Sequence, residues 1–269
     1  MPIRPRRYWQ EMTTVEVAQL DHERVVAVLP VGAVEQHGPH LPLCVDACVV
    51  EAIVTRLAAE LPDDLPVTML PLMPVGKSNE HAAFPGTLTL SAETLIRLWT
   101  ELGESVARAG IRKLMLLNGH GGQPAIMSIV ARDLRVRHRM FVVEVNYWAL
   151  GRPDGLFSPA ESRHGIHGGA EETSIMLYLR PDLVRESERR NFVPTSVAIE
   201  EQFRYLRPNG TGVRYGWQTQ DLNPHGACGD ATDADAARGR FVIEETVRRL
   251  IELLREVDQF PLDALRDRP

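Results

Sequence analysis

The chain has 269 residues, 44% of them hydrophobic and 25% charged, with a formal net charge of −6. That balance is ordinary for a folded globular protein and excludes disordered, collagen-like and fibrous chains. The acidic charge speaks against nucleic acid as a partner, because phosphate binding needs a basic face.

Apolar runs of the fully buried kind alternate with helical patterns along the first 150 residues. In chain order, a strand is expected at Val25–Val31, then a helix over 46–60 whose apolar stripe is Val49, Val50, Ile53, Val54 and Leu57. A second strand is expected at Val67–Val75, followed by a helix over 91–109 that stops at Gly110, a residue suited to a helix end. Lys113–Leu117 reads as a third strand, 123–138 as a helix, and Phe141–Val145 as a fourth strand. Beyond residue 150 the pattern is irregular, with Gly- and Pro-containing stretches at 151–169 and 207–230. A short helix is expected to run to Leu179 before Pro181, and a long one, Asp233–Val257, to close the chain. Strand–helix–strand alternation predicts a mainly parallel sheet between two helical layers, a three-layer α/β/α sandwich. A single domain over 1–269 is expected, since α/β folds often reach ~250 residues as one unit.

No apolar run approaches the ~20 residues that span a bilayer, so no membrane partner is expected. The N-terminal MPIRPRRYWQEM has arginines but no apolar stretch behind them, unlike a secretory signal. Cys44, Cys48 and Cys228 form no CxxC and no even framework. A reducing, cytoplasmic setting is the expectation.

In open α/β sheets, ligands bind beyond the carboxyl ends of the strands. Each expected strand delivers polar residues there: Glu35-Gln36-His37-Gly38-Pro39-His40 after the first, Ser78-Asn79-Glu80-His81 after the second, Asn118-Gly119-His120-Gly121-Gly122 after the third, and Asn146-Tyr147-Trp148 after the fourth. Glu35 and His37, two apart in an extended segment, point to one face and together suit a divalent ion that accepts mixed N and O donors. Asp46 reads either as an N-cap or as a carboxylate able to bridge two ions. His120 lies in a Gly-rich turn that lacks both the GxGxxG pattern and the P-loop lysine, so neither a dinucleotide nor a nucleoside triphosphate is indicated. Acidic residues in the first turn of the helix after His167 follow from the helix dipole alone; the histidines His164 and His167 upstream do not, and one of them can serve as a general acid or base.

Taken together, LPVGAVEQHGPHLPLCVDA (29–47), HAAFPGTLTLS (81–91), LLNGHGGQ (116–123), HGGAEETSIML (167–177) and GACGDATDADAARG (226–239) resemble the motifs of the creatininase (creatinine amidohydrolase) family, in order and over most of the chain. The resemblance implies two divalent ions per subunit, Zn²⁺ first and Mn²⁺ or Fe²⁺ as alternatives. Glu35 and His120 would hold one ion, His37 the other, and Asp46 would bridge them. It further implies a ring-like homo-oligomer, often a hexamer. In creatininase a glutamate follows the NGH histidine by two residues, where this chain has Gly122. Glu172 is the expected substitute and Glu171 the fallback; otherwise Glu171 would orient His167, which matches the histidine thought to assist catalysis.

The implied reaction is hydrolysis of an amide, cyclic amide or formamide C–N bond, rather than an ordinary peptide bond, by a hydroxide shared between the two ions, with His167 donating a proton to the leaving nitrogen. Creatinine itself is not the first expectation. Gly121 replaces the tyrosine of the creatininase pocket, and Arg163 stands near one of its tryptophans. His81, at the rim, and Trp148 complete the expected substrate-binding set. A formamide on a nucleotide would need cationic groups such as Arg152, Arg163 or Arg214, and a member that trims a cofactor-precursor peptide would need an open groove. The rival from another class is a non-catalytic α/β ligand-binding module, in which every one of these residues is a cap or loop residue.

Overall fold

Strands buried on both faces must be apolar along their whole length, and β1 (Val26–Val31) is: all six residues are inaccessible. In a computed structural model that describes residues 2–209 and 212–267, it lies at the centre of a four-stranded parallel sheet. The order is β2 (Val67–Met69), β1, β3 (Lys113–Asn118), β4 (Phe141–Asn146). Alternation across the pleat sorts the side chains. Val26, Val28, Met115 and Leu117 pack under α2 (Val45–Glu60), α6 (Ala170–Leu179) and α9 (Ala236–Gln259). Ala27, Leu29, Leu114 and Leu116 pack under α3 (Ala92–Arg108) and α4 (Pro124–His138), with Trp99 at the centre of that layer. The fold is therefore a three-layer α/β/α sandwich.

The expected second strand, Val67–Val75, is cut short at Met69. Leu70 N and Met73 N still donate to β1 at Val28 and Pro30 (2.8 and 2.9 Å), but Pro71 and Pro74 have no N–H to continue a ladder. The other three strands and the principal helices lie within three residues of expectation at each end.

The remaining elements are short: α1 (Thr14–Ala18), α5 (Pro159–His164), α7 (Ser196–Gln202) and α8 (Thr219–Leu222). A two-stranded antiparallel ladder joins β5 (Asn191–Phe192) to β6 (Gly229–Asp230). An isolated bridge between His167 and Cys228 runs beside it.

Two glycines let α2 start against the ends of β1 and β3. A Cβ on Gly32 would lie 2.9 Å from Ala47 Cα, and one on Gly119 would strike Val50 and stand 2.9 Å from Asp46 O. This close approach brings the first turn of α2 beside the loops that follow both strands. Gly119→Ala is expected to lower unfolding stability by about 1–3 kcal/mol through overpacking. The urea midpoint measures it, and a midpoint equal to that of the wild type would mean that the helix moves aside without cost.

Candidate metal centre

Seven titratable side chains from five segments converge beyond the carboxyl ends of β1 and β3. Glu35 and His37 come from the loop after β1, Asp46 from the first turn of α2, and His81 from the turn after β2. His120 comes from the turn after β3, with His167 before α6 and Glu172 within it. Asp46 does not cap its helix. Cys44 holds the N-cap position, and the Asp46 carboxylate is turned inward.

The two oxygens of Asp46 face different histidines. Oδ1 is 3.3 Å from His37 Nε2 and Oδ2 is 3.2 Å from His120 Nδ1. Glu35 Oε2 is 3.3 Å from that same His120 nitrogen, and Glu172 Oε2 is 3.9 Å from His37 Nε2. Two donor groups that share Asp46 result, Glu35–Asp46–His120 and His37–Asp46–Glu172. A third group, Glu35–His37–His167, overlaps both.

Both oxygens of Glu35, His37 Nε2 and Asp46 Oδ2 are buried and have no hydrogen-bond partner among the described residues. Buried carboxylates left in that condition are costly. A pair of divalent ions would satisfy Glu35 Oε2, His37 Nε2 and Asp46 Oδ2, and the mixed N/O donor set suits Zn²⁺ or Mn²⁺. The outward nitrogens are already held: His120 Nε2 lies 2.8 Å from Lys77 O and His37 Nδ1 lies 3.1 Å from Glu35 O. Backbone carbonyls in that role fix the ring and leave the other nitrogen free to coordinate.

Electrostatics show the same deficit of positive charge. Burial pushes the His37 imidazole down, but Asp46 and Glu172 outweigh it and raise the ring to about 10. Burial likewise opposes charge on His120, and Glu35 and Asp46 lift it well above its ordinary value. Burial raises Asp46, yet the two histidines bring its carboxyl down overall. Glu35 is raised, chiefly by burial, and Glu172 is raised to about 7 by burial and the Asp46 charge against the pull of His37. Burial and the neighbouring His37 keep His167 well below the ordinary range, so this ring is neutral.

Several expectations are corrected. His81 is not at a rim. It is buried within the cluster, Nε2 3.3 Å from Glu35 Oε1 and its ring 4.2 Å from that of His167. Glu171 neither joins the donor groups nor reaches His167, because Arg152 Nη2 donates to its Oε1 at 3.0 Å. Glu172, one residue on along α6, is turned the other way and accepts from Gly168 N at 2.5 Å. Arg163 is largely exposed and paired with Glu200. With Arg152 also paired, two of the three cations considered for a phosphate are already neutralised. Trp148 is partly exposed, edge-on to Tyr147, and the space beside Gly121 is open.

Two residues that sequence reasoning passed over hold the site together. Gln36 bridges His81 Nδ1 (2.7 Å) and Gly226 O (2.8 Å). Glu161 of α5 is buried among Gly165, Gly169 and Gly229, accepting from Ala170 N (2.5 Å) and Asp230 N (2.9 Å). It thereby ties the N-terminus of α6 to β6. Gln36 stood in plain view between two candidate ligands; Glu161 carried no signal beyond an acidic residue in a helix.

Residues 10–254 match the creatininase family, described as creatinine amidohydrolase. The chain belongs to that family. It is 31% identical over 261 residues to the mycofactocin precursor peptide peptidase of Mycobacterium tuberculosis, covering 92% of this chain and 93% of that one. It is 27% identical over 253 residues to the creatinine amidohydrolase of Pseudomonas putida, covering 88% and 90%. A zinc–zinc form of a creatininase mutant superposes with a TM-score of 0.74 at 26% identity, covering 94% of this chain and 98% of the other. The creatininase-family chain is thus a hydrolase acting on amide-type carbon–nitrogen bonds, and the reading as a non-catalytic binding module is set aside. No helix among the described residues is long and apolar enough to cross a membrane.

Glu161→Ala strands two buried N–H groups, for which a loss of about 1–3 kcal/mol each is expected. Equilibrium unfolding in urea reads this directly; an unchanged midpoint would show that water takes over both bonds.

Proposed function

We propose that this chain is a two-metal amidohydrolase that cleaves an amide bond in an extended, peptide-like substrate. The observation that carries the two-metal part is Asp46, whose oxygens face His37 and His120 separately at 3.3 and 3.2 Å. Glu35, His120 and Asp46 would hold one ion, and His37, Glu172 and Asp46 the other. When bound, such a pair supplies a bridging water acidified from 15.7 towards ~7 and a Lewis acid for the carbonyl oxygen.

His167 is the proton carrier in this reading. Its Nε2–H is given to Gln36 O at 2.6 Å, so its bare nitrogen is Nδ1, 3.7 Å from Glu35 Oε1 on the cluster side. A neutral ring in that setting first accepts the proton of the attacking water at Nδ1, then returns it from the same atom to the leaving nitrogen. The sequence-based expectation began from a protonated His167; burial among other imidazoles favours the neutral start.

Gly121, next to His120, is exposed, and a side chain there would meet nothing within 4 Å, which supports a substrate longer than creatinine. The relative named as a precursor peptide peptidase, 31% identical over nearly the whole chain, supports the same class.

Plasma mass spectrometry on untagged protein loaded with Zn²⁺ or Mn²⁺ is expected to find two ions per chain, both lost in Asp46→Ala, one retained in Glu172→Ala and two in Glu171→Ala. Two ions in Asp46→Ala would overturn the shared-carboxylate arrangement. His167→Ala is expected to keep both ions and to lower kcat by roughly 10²–10⁴-fold. For the substrate, mass-spectrometric screening of short peptides, formamides and creatinine is expected to show peptide cleavage. Turnover of creatinine at a rate equal to the peptides' would refute the extended-substrate reading.

A further inference from the structure

Four imidazoles surround the carboxylates, and their partners decide which nitrogen of each neutral ring carries the proton. His120 gives Nε2–H to Lys77 O, His37 gives Nδ1–H to Glu35 O, and His167 gives Nε2–H to Gln36 O. When neutral, as a metal ligand must be, each of these three turns a bare nitrogen towards the cluster.

His81 is the opposite case. The amide of Gln36 is held by two backbone groups whose polarity cannot reverse. Gly38 N donates to its Oε1 at 2.9 Å, and its Nε2 donates to Gly226 O at 2.8 Å. The second hydrogen of that Nε2 is directed at His81 Nδ1, 2.7 Å away, so Nδ1 must be an acceptor. The Thr219 hydroxyl, 2.8 Å from the same nitrogen, donates to Glu80 O at 3.1 Å; as a rotor it can turn its one hydrogen to either, so it does not set the tautomer. The ring proton is left on Nε2, which faces Glu35 Oε1 at 3.3 Å.

We propose that His81 is a positioning residue: its inward Nε2–H, with the tautomer set by Gln36, stands 3.3 Å from Glu35 Oε1 and, on closing to a hydrogen bond when the site is loaded, leaves Glu35 only Oε2 to offer beside His120 and Asp46. An ion bound by that group would then have three protein donors, each through one atom, which would leave a position open, as catalytic sites require. Without the N–H, both Glu35 oxygens would be free to chelate and close that position. The consequence for coordination rests on the two-metal reading above; the tautomer itself does not.

The test uses the full chain labelled with ¹⁵N-histidine, in long-range ¹H–¹⁵N correlation spectra that separate Nδ1–H from Nε2–H rings. His81→Gln serves only to assign the signals. His81 is expected to show Nε2–H in the metal-free protein and to keep it when zinc is added, while His37 and His120 shift. Gln36→Glu, which puts an acceptor where the donor was, is expected to convert His81 to the Nδ1–H form. The same variant is expected to keep two zinc ions and an unchanged KM while kcat falls roughly 10–100-fold. An Nδ1–H ring at His81 in the wild type would overturn the inference, as would a zinc-induced shift at its Nε2 matching those of His37 and His120. A wild type that takes up no zinc would sink the two-metal reading, and the metal-free spectrum would still decide the tautomer.

Discussion

Three carboxylates stand together in a protein interior almost closed to water, with too few hydrogen bonds to hold their charge. Everything around Glu35, Asp46 and Glu172 can be understood as an answer to that constraint. Both oxygens of Glu35 and Oδ2 of Asp46 are left without donors, while the backbone carbonyls of Glu35, Gln36 and Lys77 hold the far nitrogens of His37, His167 and His120. Such an arrangement is poor as a static salt-bridge network, since unsatisfied buried charge is expensive. As a receptacle for divalent cations it is consistent throughout.

The sandwich supplies what the cluster needs. Parallel strands bring the loops after β1 and β3 to one end, and the Gly32 and Gly119 contacts let α2 begin close enough for Asp46 to reach between His37 and His120. Glu172 depends on a longer chain of support, in which Glu161 joins the start of α6 to β6. Helices and strands thus act as rigid holders, and the polar side chains at their ends do the chemistry.

Much of this was legible in the chain of letters, for physical reasons. Doubly buried strands need unbroken apolar runs, so β1 and β3 stood out; β4, an edge strand with only Val145 buried, was legible from its β-branched residues, and β2 was overread because its apolar residues continue past the prolines that end its ladder. Glu35 and His37 declared a common face through their spacing of two. Distinguishing Glu172 from Glu171 required the helix to be seen, since adjacent positions on α6 point about 100° apart and Arg152 claims one of them. His81 looked peripheral because nothing in its own segment says that a turn after an edge strand folds inward. The role of Gln36 could not be read at all. Its amide is oriented by Gly226, 190 residues further along.

That last separation bears on how the protein is made. A chain emerging from the ribosome presents Glu35, His37, Asp46 and His120 well before Gly226 is made. Gly226 and Asp230, which orient Gln36 and secure Glu161, follow only later in synthesis. The candidate ligands are therefore made first as a partial, adaptable set, and the contacts that orient Gln36 and Glu161 can form only afterwards.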